Sequence, residues 1–299
     1  MVRRLVVNPL IVKDALSRVR TWRAPAIIAV YLGLLGLFAW LAFSEQLTGF
    51  QGAGGFARVG GNVFSALALA QLALVCLFTP GVAAGAISGE RERQTLDVLL
   101  VSCVPSFGIV WGKLVASVAF ILLLILAALP LFATVFLFGG IDAQQFVVAH
   151  LVTVTTALAI ASLSLFLSAL LRRTLAATVV AYGLTFAATA GTWLVGTILA
   201  LAATTQGQVD RAGLVLAANP VNALLTLLRG AGGSPLRGFA PSVATGPGPL
   251  VFVPSAPQTV GGPGIEPWQV TVAVQLGVLV LCVLGTVALL RERRGLVRG

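Results

Sequence analysis

Six stretches of this chain are long, apolar and free of Asp, Glu, Lys and Arg except at their edges. They run over about 25–43, 63–87, 114–138, 146–171, 174–205 and 268–290. A helix that crosses a bilayer needs about 20 mostly apolar residues. A soluble domain could not hide six such stretches, so the pattern predicts six transmembrane helices. A basic segment precedes the first stretch and no small-x-small site follows it, which fits a span and not a signal peptide.

Composition agrees. The chain has 299 residues, of which 58% are hydrophobic and 9% charged, whereas soluble domains carry about 25% charge. Two soluble domains would fit the length, but a single polytopic transmembrane domain over 1–299 fits the composition. The expected fold class is an all-α membrane protein.

The net charge of +10 does not point to nucleic acid, which needs basic residues clustered on a solvated face. Here they flank apolar stretches and set the orientation. The segment before the first span holds Arg3, Arg4, Lys13, Arg18, Arg20 and Arg23. The second-to-third connection holds Arg91, Arg93 and Lys113, and the fourth-to-fifth holds Arg172 and Arg173. The tail holds Arg291, Arg293, Arg294 and Arg298, and the alternate connections only Arg58, Arg211, Arg229 and Arg237. Both termini are therefore expected in the cytoplasm. Only two of the basic residues are lysine, which with abundant Ala, Gly, Val and Leu fits a GC-rich bacterial genome, hence the cytoplasmic membrane of a bacterium.

Two further helices are expected at the membrane surface. Over 8–23, Asn8 and Pro9 suit a helix start, and Val12, Leu16, Val19 and Trp22 follow at helical spacing, giving an amphipathic interfacial helix on membrane lipid. In the external 206–267 connection, "NPVNALLTLLRG" from Asn219 is too short to span and suits an interfacial or re-entrant helix. The Gly/Pro-rich remainder reads as a spacer, with a substrate-contacting lid as the other reading.

Several chemistries lack their residues. Cys76, Cys103 and Cys282 form no CxxC pair, and His150 is the only histidine and reads as an interfacial residue. No ionisable residue sits in the middle of a span, where an ion-driven transporter commonly places one. "GIVWGKL" at Gly108 is one residue short of a phosphate-binding loop and has Leu114 where Ser or Thr would hold magnesium. No enzyme activity and no cofactor are expected in this chain. The small polar residues Gln71, Thr79, Ser117, Thr134, Thr153, Thr155, Thr156, Ser162, Ser164 and Ser168 suit helix packing. Pro80 and Pro130 are expected to kink their spans.

Against this scarcity of charge stands "GERERQTLDVLL", residues 89–100, a cytoplasmic link in which Glu90, Arg91, Glu92 and Arg93 are consecutive. Leu96, Leu99, Leu100 and Cys103 form an apolar helical stripe, and Arg93 and Asp97 are spaced to pair. A short amphipathic helix with a charged end suits docking on a soluble protein. The other reading is a solvated loop whose arginines set orientation, although acidic residues add nothing to that bias.

The stretch "ISGERERQTLDVLLVSCVPSFGIVWGK" resembles the signature region of type-2 ABC transporter permeases, a pattern close to ExExGTLxxLLxxPxxxxxIxxGK. Glu90, Glu92, Thr95, Leu96, Leu99, Leu100, Ile109, Gly112 and Lys113 match it, Gln94 replaces the usual Gly, and the proline is displaced to Pro105. The resemblance implies a permease subunit, commonly of an exporter, that forms the substrate pathway. It would pair with a second permease copy or paralogue and be driven by a separate nucleotide-binding ATPase subunit, which binds the ATP. It also implies that 89–104 is a cytoplasmic coupling segment carrying Glu90, Arg91, Glu92, Arg93, Thr95, Leu96, Leu99 and Leu100, with Glu90 and Glu92 meeting basic groups on the ATPase. The runner-up is a polytopic membrane enzyme or assembly factor that works without ATP; an ion-coupled transporter is the third reading.

Overall fold

The computed structural model describes residues 23–47, 55–95, 105–171, 173–202, 213, 215–229 and 266–298, and among them every regular element is helical. In chain order these are α1 (Arg23–Leu47), α2 (Gly55–Ala83), α3 (Ser88–Glu92), α4 (Ser106–Phe136) and α5 (Ala143–Leu170). There follow α6 (Thr174–Phe186), a π turn (Ala187–Gly191), α7 (Thr192–Ala202), α8 (Pro220–Arg229) and α9 (Pro267–Arg298). Six helical segments, drawn from α1, α2–α3, α4, α5, α6–α7 and α9, are long and apolar enough to cross a membrane. Lipid offers no partner to a bare N–H or C=O, so a spanning segment must satisfy its backbone internally, as a helix does. The chain is an all-α, multi-pass integral membrane protein.

Three boundaries differ from the hydropathy pattern. α2 stops at Ala83 and the chain turns over 84–87 before α3. α4 begins at Ser106, so Lys113 lies inside a helix, only 6% exposed. α9 carries the basic tail as helix to Arg298. Hydropathy misses the first of α4's turns because it counts Lys113 as a charge, whereas in the fold that charge is paired. Both α2 and α4 continue through their prolines, Pro80 and Pro130. The expected surface helix at 8–23 lies outside the described residues except Arg23, which opens α1.

The spans are not equivalent. In the apolar windows of the α2, α4 and α5 spans, 67%, 50% and 61% of residues are buried, against 11%, 17% and 22% for α1, α6–α7 and α9. The first three form the centre, and the others present apolar side chains outward, Trp40, Leu175, Phe186 and Leu281 among them.

Close approach and small polar groups hold the centre together. Thr155 Oγ1 donates to Gln275 Oε1 at 2.6 Å, and Gln275 Nε2 donates to Thr156 Oγ1 at 2.7 Å, tying α5 to α9. Phe166 packs against Gly285 on α9 so closely that a Cβ there would press on its ring. The α4–α5 connection lies directly on α2. Gly139 and Gly140 adopt φ of 73° and 82°, and a Cβ on Gly140 would collide with the Ala57 carbonyl, as one on Gly60 would with the Gly139 carbonyl. Asp142 and Gln145 then form a capping box that starts α5. His150, two turns further on, packs with Phe132 and Phe146, and its Nδ1 meets the Phe146 carbonyl at 3.0 Å.

Candidate coupling site at one end of the bundle

The charged row sits where α2, α4, α5 and α6 all end. Its helix, α3, has no side-chain cap of its own, because its N-cap is Ile87. A serine from another helix takes that role. Ser168 Oγ on α5 accepts the backbone N–H groups of Ile87 and Ser88, at 3.0 and 2.9 Å, and donates to Ser88 Oγ at 3.1 Å. Ser88 Oγ donates onward to the Ala84 carbonyl. Ser88 and Ser168 are both fully buried.

The other end of α3 closes as a Schellman motif. The N–H of Thr95 donates to the Glu90 carbonyl at 2.9 Å and that of Gln94 to the Arg91 carbonyl at 3.0 Å. This motif needs a left-handed residue, and Gln94 has φ 57°. Gln94 is also the position at which the family pattern carries Gly. The substitution therefore keeps the backbone shape that a glycine would favour.

Three of the charges between those two ends, Glu90, Arg91 and Glu92, are each held by a different span. Glu90 Oε1 meets Lys113 Nζ of α4 at 2.6 Å, with Lys113 6% and Glu90 26% exposed. Arg91 donates from Nη1 to the Leu171 carbonyl and from Nη2 to the Ala169 carbonyl, both at 2.9 Å, at the C-terminal end of α5. Glu92 Oε1 accepts the Thr174 N–H at 2.7 Å, and its carboxylate also accepts the Thr174 hydroxyl, at the first residue of α6. The signs are those that helix dipoles favour, a cation at a C-terminus and an anion at an N-terminus. Alternating charge here fastens α3 to three spans in turn.

Glu90 and Glu92 each meet a donor on a neighbouring span, and Glu92 remains exposed. Arg93 and Thr95 are exposed. Leu96, Asp97, Leu99, Leu100 and Cys103 lie outside the described residues.

Residues 10–294 match the sequence family described as ABC-2 family transporter protein. The chain belongs to the ABC-2 transporter family. It is accordingly the membrane-embedded permease component of an ABC transporter, a class that works with an ABC ATPase subunit. No curated protein matches the chain.

Away from the charged end, the permease has a half-open cavity of about 500 Å³ between α2, the α6–π–α7 span and α8. Leu72, Cys76 and Leu77 wall one side, Thr185 and Trp193 another, and Leu225 of α8 a third. α8 is the short helix expected from Asn219 onward. It packs on α2, α5 and α9, with Leu224 and Leu228 fully buried. Asn219, at its start, meets Thr189 of the permease's fifth span. Thr189 lies 15 residues beyond Thr174, about 22 Å along a helix. Sequence reasoning did not single out Gln275, Thr174 or the Thr189–Asn219 contact. Their partners lie tens of residues away, so no local spacing announces them.

Proposed function

We infer that this permease is half of an exporter in the cytoplasmic membrane of a bacterium, driven by a separate ATPase that docks at the charged end. The observation that carries this is the fastening of α3 to α4, α5 and α6 by Glu90, Arg91 and Glu92. A push on α3 reaches three spans through charged, directional contacts. The Lys/Arg asymmetry supports a cytoplasmic position for this end and for both termini. Arg93, exposed beside the fastening, is positioned to meet the ATPase, with Thr95, Leu96, Leu99 and Leu100 continuing the dock. ATP is bound by that partner, and this chain needs no cofactor.

A second permease copy or paralogue completes the pathway, and the weakly buried α1, α6–α7 and α9 spans are the faces for it and for lipid. The mostly apolar cavity favours a lipid-like or amphiphilic substrate over a multivalent ion, because Tyr182, Thr185 and Thr189 are the few polar side chains in its wall and carry no charge to replace an ion's hydration.

The test is co-expression with the candidate ATPase, followed by co-purification and ATP turnover in lipid vesicles. Arg93→Glu is the informative variant, since Arg93 is exposed and its loss leaves the fastening intact. It is expected to insert normally and to weaken association. Assembly and turnover equal to the parent would remove Arg93 from the dock. Cysteine labelling from outside intact cells tests topology, with labelling expected at Gly246 and not at Gln94.

A further inference from the structure

The fifth span changes helix type halfway. Over Ala187–Gly191 it is a π turn, and the Thr192 N–H reaches back to the Ala187 carbonyl. A π turn holds one residue more than an α turn and is rare. Nothing in Ala-Ala-Thr-Ala-Gly forces it, because these small side chains fit either geometry. The selection comes from outside the span.

Asn219 supplies it. Its side-chain amide donates from Nδ2 to the Thr189 carbonyl at 2.5 Å and to Thr192 Oγ1 at 2.6 Å. Thr192 Oγ1 in turn donates to the Ala188 carbonyl at 2.7 Å. The other end of the same amide caps α8: Oδ1 accepts the N–H of Val221 at 2.8 Å and of Asn222 at 3.4 Å. Asn219 is 1% exposed, and its amide uses both donors and two acceptor positions. Without water to replace them, such bonds are costly to leave unmade. One buried side chain thus holds both the start of α8 and the wide turn of a span.

We propose that the π turn is a switchable register element and that Asn219 is the positioning residue that latches it in the observed state. If the latch opens, the turn relaxes to α geometry and the extra residue joins the regular helix. α7 then rotates against α6 by about 100° and shifts by about 1.5 Å. Trp193, two residues past the turn, leaves the cavity wall. Because α8 and the turn share one amide, displacing α8 and re-registering the wall become a single event. The consequence for transport rests on the permease reading above; the register switch itself does not.

The test uses the full chain with Trp22, Trp40, Trp111 and Trp268 changed to Phe, leaving Trp193 as the one fluorophore, in phosphatidylcholine vesicles brominated on the acyl chains. Asn219→Asp keeps the cap on α8 but replaces the Nδ2 donor with an acceptor. It is expected to raise lipid quenching of Trp193 above the parent. Deleting Ala188 removes the extra residue, so an unbroken α-helix keeps Trp193 on the cavity side whether or not the latch is present. The deletion combined with Asn219→Asp is therefore expected to return quenching to the parental level. Thr192→Val, which removes one acceptor without adding charge, is expected to shift quenching in the same direction as Asn219→Asp and decides the matter if that variant does not fold. Parental quenching in a folded latch variant would overturn the proposal. So would a deletion that fails to restore it, since Trp193 would then move by loss of α8 packing and not by register. Neither result bears on whether an ATPase drives the chain.

Discussion

Ser168 caps a helix to which it does not belong, its hydroxyl accepting the N–H groups of Ile87 and Ser88 from 81 and 80 residues away in sequence. A cap supplied in trans binds the start of α3 to the end of α5. Ser168→Ala leaves two buried donors without that acceptor and is expected to cost about 1–3 kcal/mol. Thermal unfolding in detergent checks it, and Ser164→Ala, whose hydroxyl bonds only within its own helix, is the milder comparison.

Lys113 and Glu90 form an ion pair in which Lys113 is buried and Glu90 about a quarter exposed. Removing Lys113 strands a carboxylate that is only partly in water, at up to the roughly 3–5 kcal/mol of a fully buried pair. Lys113→Met is expected to approach that loss. Adding Glu90→Gln is expected to recover most of it, because no unpaired charge then remains. A double variant no more stable than Lys113→Met alone would show that the pair is not what matters.

Gln94 stands in the left-handed region, where an L side chain costs roughly 1–2 kcal/mol and a glycine does not. Gln94→Gly is expected to stabilise the chain by up to about 1 kcal/mol, since glycine also loses more entropy on folding. A fall in the unfolding midpoint would mean that the glutamine side chain holds something that its backbone does not reveal.

These residues also mark how far the sequence can be read. The six spans were legible because apolar length is a local property, and the matching family pattern pointed to the charged row. The task of that row was not legible. Glu90, Arg91 and Glu92 are adjacent, but their partners Lys113, Ala169, Leu171 and Thr174 are brought together only by packing of four helices. The spacing of Arg93 and Asp97 suggested a local pair, while the neighbouring charges make contacts across the bundle. The π turn was invisible for a different reason: its residues fit both geometries, and Asn219 read only as the start of a short apolar helix.

Gly60 and Gly140 allow the α4–α5 connection to rest on the backbone of α2. Gly140→Ala meets both a collision with Ala57 and a φ of 82°, so it is expected to cost at least about 1–3 kcal/mol. Gly33→Ala, where a Cβ meets open space, is expected to be neutral or slightly stabilising. Comparing the folded yields and unfolding midpoints of the two variants tests whether this contact helps hold the centre together.

If Glu90, Arg91 and Glu92 transmit the work of the ATPase, the ends of α4 and α6 move as one body. Spin labels at Phe107 of α4 and Leu175 of α6, both exposed, report that distance by pulsed electron resonance in vesicles containing the assembled transporter. The parent is expected to give one narrow distribution that is the same with and without ATP. Arg91→Gln combined with Glu92→Gln is expected to keep hydrolysing ATP while the distribution broadens or shifts on ATP addition. A variant whose distribution stays as narrow and as unresponsive as the parent's would contradict the account, because α4 and α6 would then be held together without the charged row.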